Sequence, residues 1–397
     1  MEGQLSFFET KSQVKKYSKT VSVDRIPVGK KLKVISLFSG CGGMDLGFRG
    51  GFSVFGRNFD RNPFEIVFAN DIVKKACDTY TYNFHSKPCC GDIRDLDYTL
   101  LPKADIVIGG FPCQDFSLAG KRKGLASERG RLYLEMKKVI AYSNPVAFVA
   151  ENVDGIRRNT ADCNSALDVI LDDFRKLGYR VEYRALNAAD FGVPQNRIRI
   201  IIVGIRDDLC KSMKYPRETF GGVTGNSWMT AKEAIDDLWN VIDKTTIKNH
   251  TSKDYSKAKF YPGKNMQGNC QIKADKPSPT IRSEHHGNIE AHYRTNNPNN
   301  PLDMTGWRRL SVRECARLQS FPDSFEFPVS ASDAYKQIGN AVPPILAWNI
   351  ARALYITLIH KNQACKMLCK PGFLFILAFS TTLYIDLFLC LIKNHIF

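Results

Sequence analysis

Residues 110–114 read GFPCQ, a cysteine set directly after a proline and just beyond the apolar stretch 106–108. A thiol there has four possible uses: core filler, metal ligand, half of a disulfide, or nucleophile. Pro112 fixes the backbone before it and so holds the thiol in one direction. No Cys, His or acid cluster with zinc spacing lies nearby in the sequence. Two later stretches favour the nucleophile. Residues 150–153, AENV, bring Glu151 to the end of another apolar run, and residues 195–199, QNRIR, open a third with Arg197 and Arg199. Alternation along a strand would put both arginines on one face. A thiol, a carboxyl group and two guanidiniums meeting at one rim suit covalent catalysis, because nearby positive charge favours the thiolate.

A second constellation suits a cofactor. The apolar run 32–37 leads into Phe38, Ser39, Gly40, Cys41, Gly42 and Gly43. Glycines after a first strand let the backbone turn tightly and approach a ligand. A dinucleotide fingerprint would require glycine at position 45, where this chain has Asp45. S-adenosylmethionine, which has no pyrophosphate and carries an amino-acid moiety, fits better. The run 64–69 ends in Asn70-Asp71-Ile72, placing an acid where it can accept hydrogen bonds from both ribose hydroxyls. Gly91-Asp92-Ile93 puts another carboxylate at the end of a third strand, in reach of the adenine amino group.

These residues need a scaffold that delivers them to one edge. Apolar runs of strand length at 32–37, 64–69, 106–108, 146–150 and 198–203 read as strands buried on both faces. Helical spacing recurs between them at 72–83, 132–142 and 167–177, the last stopped by Gly178. Alternation of the two predicts an α/β fold: a doubly wound, mostly parallel, Rossmann-like sheet, with ligands at its carboxyl edge. The alternation fails after about residue 206, and 206–305 is predicted to be a smaller second domain. Within it, residues 244–282 hold nine Lys/Arg against two acids, with Tyr255, Phe260 and Tyr261 interleaved, a composition able to track phosphates and stack bases. A capping box, Ser311 to Glu314, opens a short helix, and Pro343-Pro344 begins another running to about His360. The expected organisation is therefore a basic extension over 1–32, a catalytic and cofactor domain over 33–205, the small domain over 206–305, a segment completing the catalytic domain over 306–360, and a hydrophobic tail over 361–397.

A net charge of +16 favours a polyanionic partner, nucleic acid first. The twelve cysteines show no CxxC pair or regular framework, so free thiols in a reducing cytoplasm are expected. The first residues lack an apolar h-region, so no signal peptide is expected. Residues 372–392 have nearly the length of a membrane span, but Asp386 and three hydroxyl residues weaken that reading, and an irregular extension is preferred.

Taken together, FSGCGG, GFPCQ, ENV, QNRIR and the closing Gln337-Ile-Gly339-Asn340-Ala-Val342 resemble the DNA (cytosine-5) methyltransferases, particularly bacterial restriction-modification enzymes. The resemblance runs in unpermuted order from about Lys33 to His360. It departs in Met44, where leucine is common, and in an extra segment, 50–62, before the second strand. The resemblance implies transfer of a methyl group from S-adenosylmethionine to C5 of a cytosine flipped out of double-stranded DNA, through a bond between Cys113 and C6. Glu151 would bind N3 and the exocyclic amine, Arg199 the O2 edge, and Arg197 would add positive charge. Gly110, Pro112, Asn340 and Val342 join the cofactor set, while Gln114, the lid residues Ser117, Lys121 and Arg131, and Arg282 in the small domain would meet DNA. No metal is expected. A monomer working in the cytoplasm beside a separate cognate endonuclease is the implied setting.

Three other readings compete. An RNA cytosine methyltransferase of the same architecture usually has a second proline where this chain has Phe111. A non-catalytic DNA-binding regulator should have lost the thiol, Glu151 or an arginine, and none is missing. A nicotinamide oxidoreductase is disfavoured by Asp45.

Overall fold

The computed structural model describes residues 29–112, 132–157, 165–222, 224–264, 266, 268–283 and 288–360. Its centre is a seven-stranded sheet. In chain order the strands are β1 (Leu32–Leu37), β4 (Phe64–Asp71), β5 (Cys89–Cys90), β6 (Ile106–Gly109), β7 (Ala147–Val153), β8 (Tyr179–Asn187) and β9 (Ile198–Arg206), with β2 (Phe52–Val54) and β3 (Arg57–Phe59) forming a separate hairpin. The spatial order is β5-β4-β1-β6-β7-β9-β8. The pairs from β5 through β7 are all parallel, and β9 runs antiparallel to both its neighbours. The five expected strands and the mostly parallel sheet are all present. The 50–62 segment noted in the sequence is the β2–β3 hairpin, whose Phe52 and Phe59 rings stack at 4.9 Å.

Alternation along the central strands divides the interior into two cores. Val34, Ile106, Ile108, Val149, Ile201 and Val203 face α1 (Gly43–Arg49) and α8 (Pro344–Ile359). Ile35, Leu37, Val107, Phe148, Ile200 and Ile202 face α3 (Tyr133–Ser143) and α4 (Ala166–Arg175). Covering both faces explains why these strands read as continuous apolar runs. Helix α4 starts at a capping box made by Ser165 and Asp168, and Gly178 follows with φ +85°. On the other face, α1 and α8 cross closely: a Cβ at Gly47 would lie 2.4 Å from the Cβ of Ala347.

Helix α2 (Lys74–Phe84) follows β4. α5 (Ala231–Ile235), α6 (Val312–Leu318) and α7 (Ala331–Asn340) complete the described helices. The capping box of Ser311 and Glu314 does open α6, and Pro344 is in the first turn of α8. Apolar residues of the 206–305 stretch, Leu238, Ile272, Ile281 and Ile289 among them, pack in the same core as α6, α7 and α8. The stretch Ala331–Ile359 is long and apolar enough to cross a bilayer, but α7 and α8 break within it and 67% of its most apolar window is buried in the protein. The tail after residue 360 lies outside the described residues.

Candidate active site

Register across the sheet assembles the site. Leu37 pairs with Gly109, and Gly109 pairs with Ala150. The chain leaves β1 at Phe38, whose φ is +53°, and leaves β6 at Gly110, while β7 runs on through Glu151, so these three residues lie at the carboxyl rim of neighbouring strands. β9 completes the row because it runs backwards: Arg199, near its start, pairs with Val153 at the end of β7.

The glycine turn occupies the β1 side. Phe38, Gly40 and Gly42 all have positive φ, at 53°, 55° and 93°. Gly40 donates its N–H to Oδ2 of Asp71 at 2.8 Å, while Val73 donates to Oδ1 at 2.8 Å. Ser39 donates its backbone N–H to the Asn70 carbonyl at 3.0 Å. Burial pushes the Asp71 carboxyl up, against the lowering effect of these N–H donors. Space beyond Gly40 and Gly91 is open, with no atom within 4 Å of where a Cβ would stand. Ile72 exposes 63% of its surface beside Asp71. Asp92 caps the turn carrying the buried Ile93 and pairs with Arg94 at 2.6 Å, which holds its carboxyl below the usual range.

A carboxylate with lone pairs to spare, an open glycine turn and an exposed apolar side chain are what a nucleoside carrying an amino-acid moiety requires. The residues present therefore fit S-adenosylmethionine. Cys41 is not reactive: it is 1% exposed, and burial pushes its thiol up to about 12. Asp45, in place of the third glycine, is fully buried and takes bonds from the hydroxyls of Ser36 (2.9 Å) and Tyr80 (3.0 Å). That position braces α1 to β1 and α2, so no phosphate can lie there. Gly43 passes so close to the Val342 carbonyl that a Cβ would meet it at 2.6 Å, which places Val342 under the turn. Asn340 ends α7 and is exposed.

On the β7 side, Glu151 and Arg199 form an ion pair with Nε 2.8 Å from Oε1, both side chains nearly enclosed. A Cβ at Gly110 would lie 3.0 Å from Oε2 of Glu151, so a glycine there lets the chain leave β6 against the carboxylate. Asn152 donates to the Phe111 carbonyl at 3.3 Å and ties β7 to that exit. Pro112 is the last described residue before Cys113. Cys113, Gln114, Ser117, Lys121 and Arg131 lie outside the described residues.

Arg197 stands just before β9, and it and Arg199 are both buried with the exposed Ile198 between them, as alternation predicts. Arg197 is 1% exposed and donates to the carbonyls of Ile281 (2.9 Å), Gly339 (2.8 Å) and Ala341 (3.0 Å). Burial and the nearby Arg199 charge push its guanidinium well below the usual arginine range. It holds the turn after α7 against the Ile281 segment. Gln195 and Gln319, which the sequence reading passed over, complete this brace: Gln195 accepts from the Ile281 N–H at 3.0 Å, and Gln319 donates to Ala341 at 2.6 Å. Arg282 pairs with Glu290 at 2.7 Å and packs its backbone against Gly339, beside Asn340. Asn70 was also missed as a site residue. Its amide donates to the Cys89 and Gly91 carbonyls, both at 3.0 Å, and fixes the Asp92 turn to β4. Among the described residues no group of three or more His, Cys, Asp or Glu could hold a metal ion.

Comparison with known proteins agrees with this geometry. The chain is 34% identical to the type II methyltransferase M.NgoFVII of Neisseria gonorrhoeae, over 82% of this chain and 86% of that one. It is 36% identical to M.BsuRI of Bacillus subtilis (81% and 78%) and 35% to M.FnuDI of Fusobacterium nucleatum (84% and 97%). Solved structures of a Spodoptera frugiperda DNMT2 mutant and of the Entamoeba histolytica methyltransferase EhMeth share the fold, each with a TM-score of 0.58 at 18% identity. They cover 82% and 83% of this chain, and it spans 99% and 98% of theirs. The family model for C-5 cytosine-specific DNA methylases matches residues 32–355, and with an ion pair, a glycine turn and the Gly110 exit from β6 on one rim, the chain belongs to that family.

Proposed function

We propose that this DNA cytosine-C5 methyltransferase uses S-adenosylmethionine, works on a cytosine flipped out of duplex DNA, and employs Cys113 as the nucleophile. The observation that carries this reading is that the glycine turn after β1 and the Glu151–Arg199 pair on β7 and β9 share one rim of the sheet, with Gly110 close against Glu151. Cofactor and base would then meet across about two strand spacings.

The glycine turn, Asp71, Ile72, Asp92, Ile93 and the Asn340–Val342 turn would hold the cofactor. When bound, S-adenosylmethionine supplies an electrophilic methyl group. The Cys113 thiolate adds to C6 of the base and raises electron density at C5, which is otherwise a poor nucleophile. Glu151 accepts from the exocyclic amine and meets N3, while Arg199 keeps the carboxyl oriented and faces the O2 edge. Their near-complete enclosure means that both are positioned before the base arrives, so little reorganisation is needed at the reacting centre. Loss of the C5 proton and expulsion of the thiolate restore aromaticity. Flipping costs a few kcal/mol of stacking and pairing, since a thiol cannot reach C6 inside a duplex.

Residues 206–305 would read bases flanking the target, with Gln114 and the lid residues Ser117, Lys121 and Arg131 meeting the DNA. The type II relatives support a role in protecting host DNA beside a separate endonuclease. The chain would act as a monomer in the cytoplasm. Mapping 5-methylcytosine in the DNA of a host expressing the chain tests the reading: methylation at one short sequence motif is expected. Methyl incorporation into tRNA with none in duplex DNA would overturn it.

A further inference from the structure

Two thiols flank Asp71 beside the cofactor rim, and the reaction described above uses neither. Cys77 lies in the first turn of α2 and is buried, whereas Cys90 lies in the short edge strand β5 and is exposed. Both are tied to Asp71. The Cys77 thiol donates to the Asp71 carbonyl at 3.5 Å, and Cys90 is the direct partner of Asp71 in the β4–β5 register. Helix α2 packs against both β4 and β5, so the two thiols flank the same residue. Cys89, adjacent on the strand, points to the opposite face by alternation. The segments joined by this pair are the two that carry Asp71-Ile72 and Asp92-Ile93.

We propose that Cys77 and Cys90 form a disulfide when the protein meets a low-molecular-weight disulfide, and that this bond weakens cofactor binding. The exposed Cys90 thiolate attacks one sulfur of the small disulfide, whose S–S bond breaks and releases one thiolate. Cys77 then loses its proton to solvent and attacks the Cys90 sulfur, releasing the second thiolate. Two protein thiols are oxidised, and one small disulfide is reduced to two thiols. Cys90 is the entry point because it is accessible. Burial and contact with Cys90 push Cys77 up to about 12, so the second step is the slow one.

An S–S bond of about 2.05 Å draws the thiols closer than any non-bonded contact. Cys77 must therefore leave the Asp71 carbonyl. Asp71 in turn holds the N–H groups of Gly40 and Val73, so the strain falls on the glycine turn and on the start of α2. The consequence for the cofactor rests on the function proposed above. Formation of the disulfide does not.

The test incubates the full chain with oxidised glutathione, maps disulfides by peptide mass spectrometry without reduction, and measures S-adenosylhomocysteine binding by calorimetry. A Cys77–Cys90 linked peptide is expected, with affinity lowered about tenfold, within the usual range of coupling between sites, and restored by dithiothreitol. By reciprocity, S-adenosylhomocysteine should shift the thiol–disulfide equilibrium toward the thiols by the same factor. Cys90→Ser should bind the ligand normally and show no oxidant response. No linkage between these residues, pairing through Cys89, or a mapped Cys77–Cys90 bond with unchanged affinity would overturn the proposal. Failure of the reduced protein to bind S-adenosylhomocysteine would instead count against the cofactor reading, and the peptide map would still decide whether the pair forms.

Discussion

The two halves of the rim are built in opposite ways. On the β1–β4 side the contacts come from backbone: positive-φ turns, N–H groups held by Asp71, and open space beyond Gly40 and Gly91. On the β7–β9 side they come from charged side chains already paired and enclosed, Glu151 with Arg199, and Arg197 locked to three carbonyls. The first half is a receptive surface whose affinity is set by shape. The second is a preorganised electrostatic site whose groups cost much to bury and must therefore be fixed in place. Substitutions should thus separate binding from chemistry according to which half they touch.

The largest effect is expected from Cys113→Ser, which should lower methyl transfer about 10⁴-fold or more while DNA and cofactor binding stay measurable. A labelled-methyl assay at full rate would refute the nucleophile. Glu151→Ala should follow, with kcat down about 10²- to 10⁴-fold and cofactor affinity near that of the unaltered chain. Calorimetry showing the reverse would place Glu151 in the wrong half. Arg197→Met would leave three buried carbonyls without their donor, so unfolding in urea should show a loss of about 3 kcal/mol or more. Arg197→Lys should not rescue it, because an ammonium cannot span the same three acceptors. An unchanged midpoint for either variant would contradict the bracing role.

The smallest effect concerns pH. Burial raises the Asp45 carboxyl from 3.8 to about 6. Between those values the folded state holds a proton that the unfolded state lacks, so this group's contribution rises as pH falls from about 7 to 4 and is lost as pH rises through about 6. Asp45→Asn should flatten that part of the stability profile. A profile of the same slope in thermal melts at pH 4 to 7 would count against it.

Sequence legibility followed the same division. The buried strands, the exit at Gly110, Glu151 and the glycine turn were readable because parallel strands covered on both faces leave continuous apolar runs that end at the rim. β8 was not, because YRVEYRALN alternates charge with apolar residues on an edge strand and leaves no such run. The reversed direction of β9 carries no local signal, yet it alone brings Arg199 to Glu151. Alternation did place Arg197 on the buried side with Arg199, but the three carbonyls it binds come from distant segments and leave no local signal. Gln195 and Gln319 have polar side chains whose partners lie far away in the chain, Ile281 and Ala341, and single-sequence patterns do not encode such contacts.

The central claim is a transient bond between sulfur and an extruded pyrimidine. Incubating the enzyme and S-adenosylmethionine with duplex oligonucleotides bearing 5-fluorocytosine at the mapped target site tests it most directly, since the fluorine blocks the release step. A covalent protein–DNA adduct joined through Cys113 is the predicted result. Methyl transfer to unmodified DNA with no adduct on the fluorinated duplex would contradict the account.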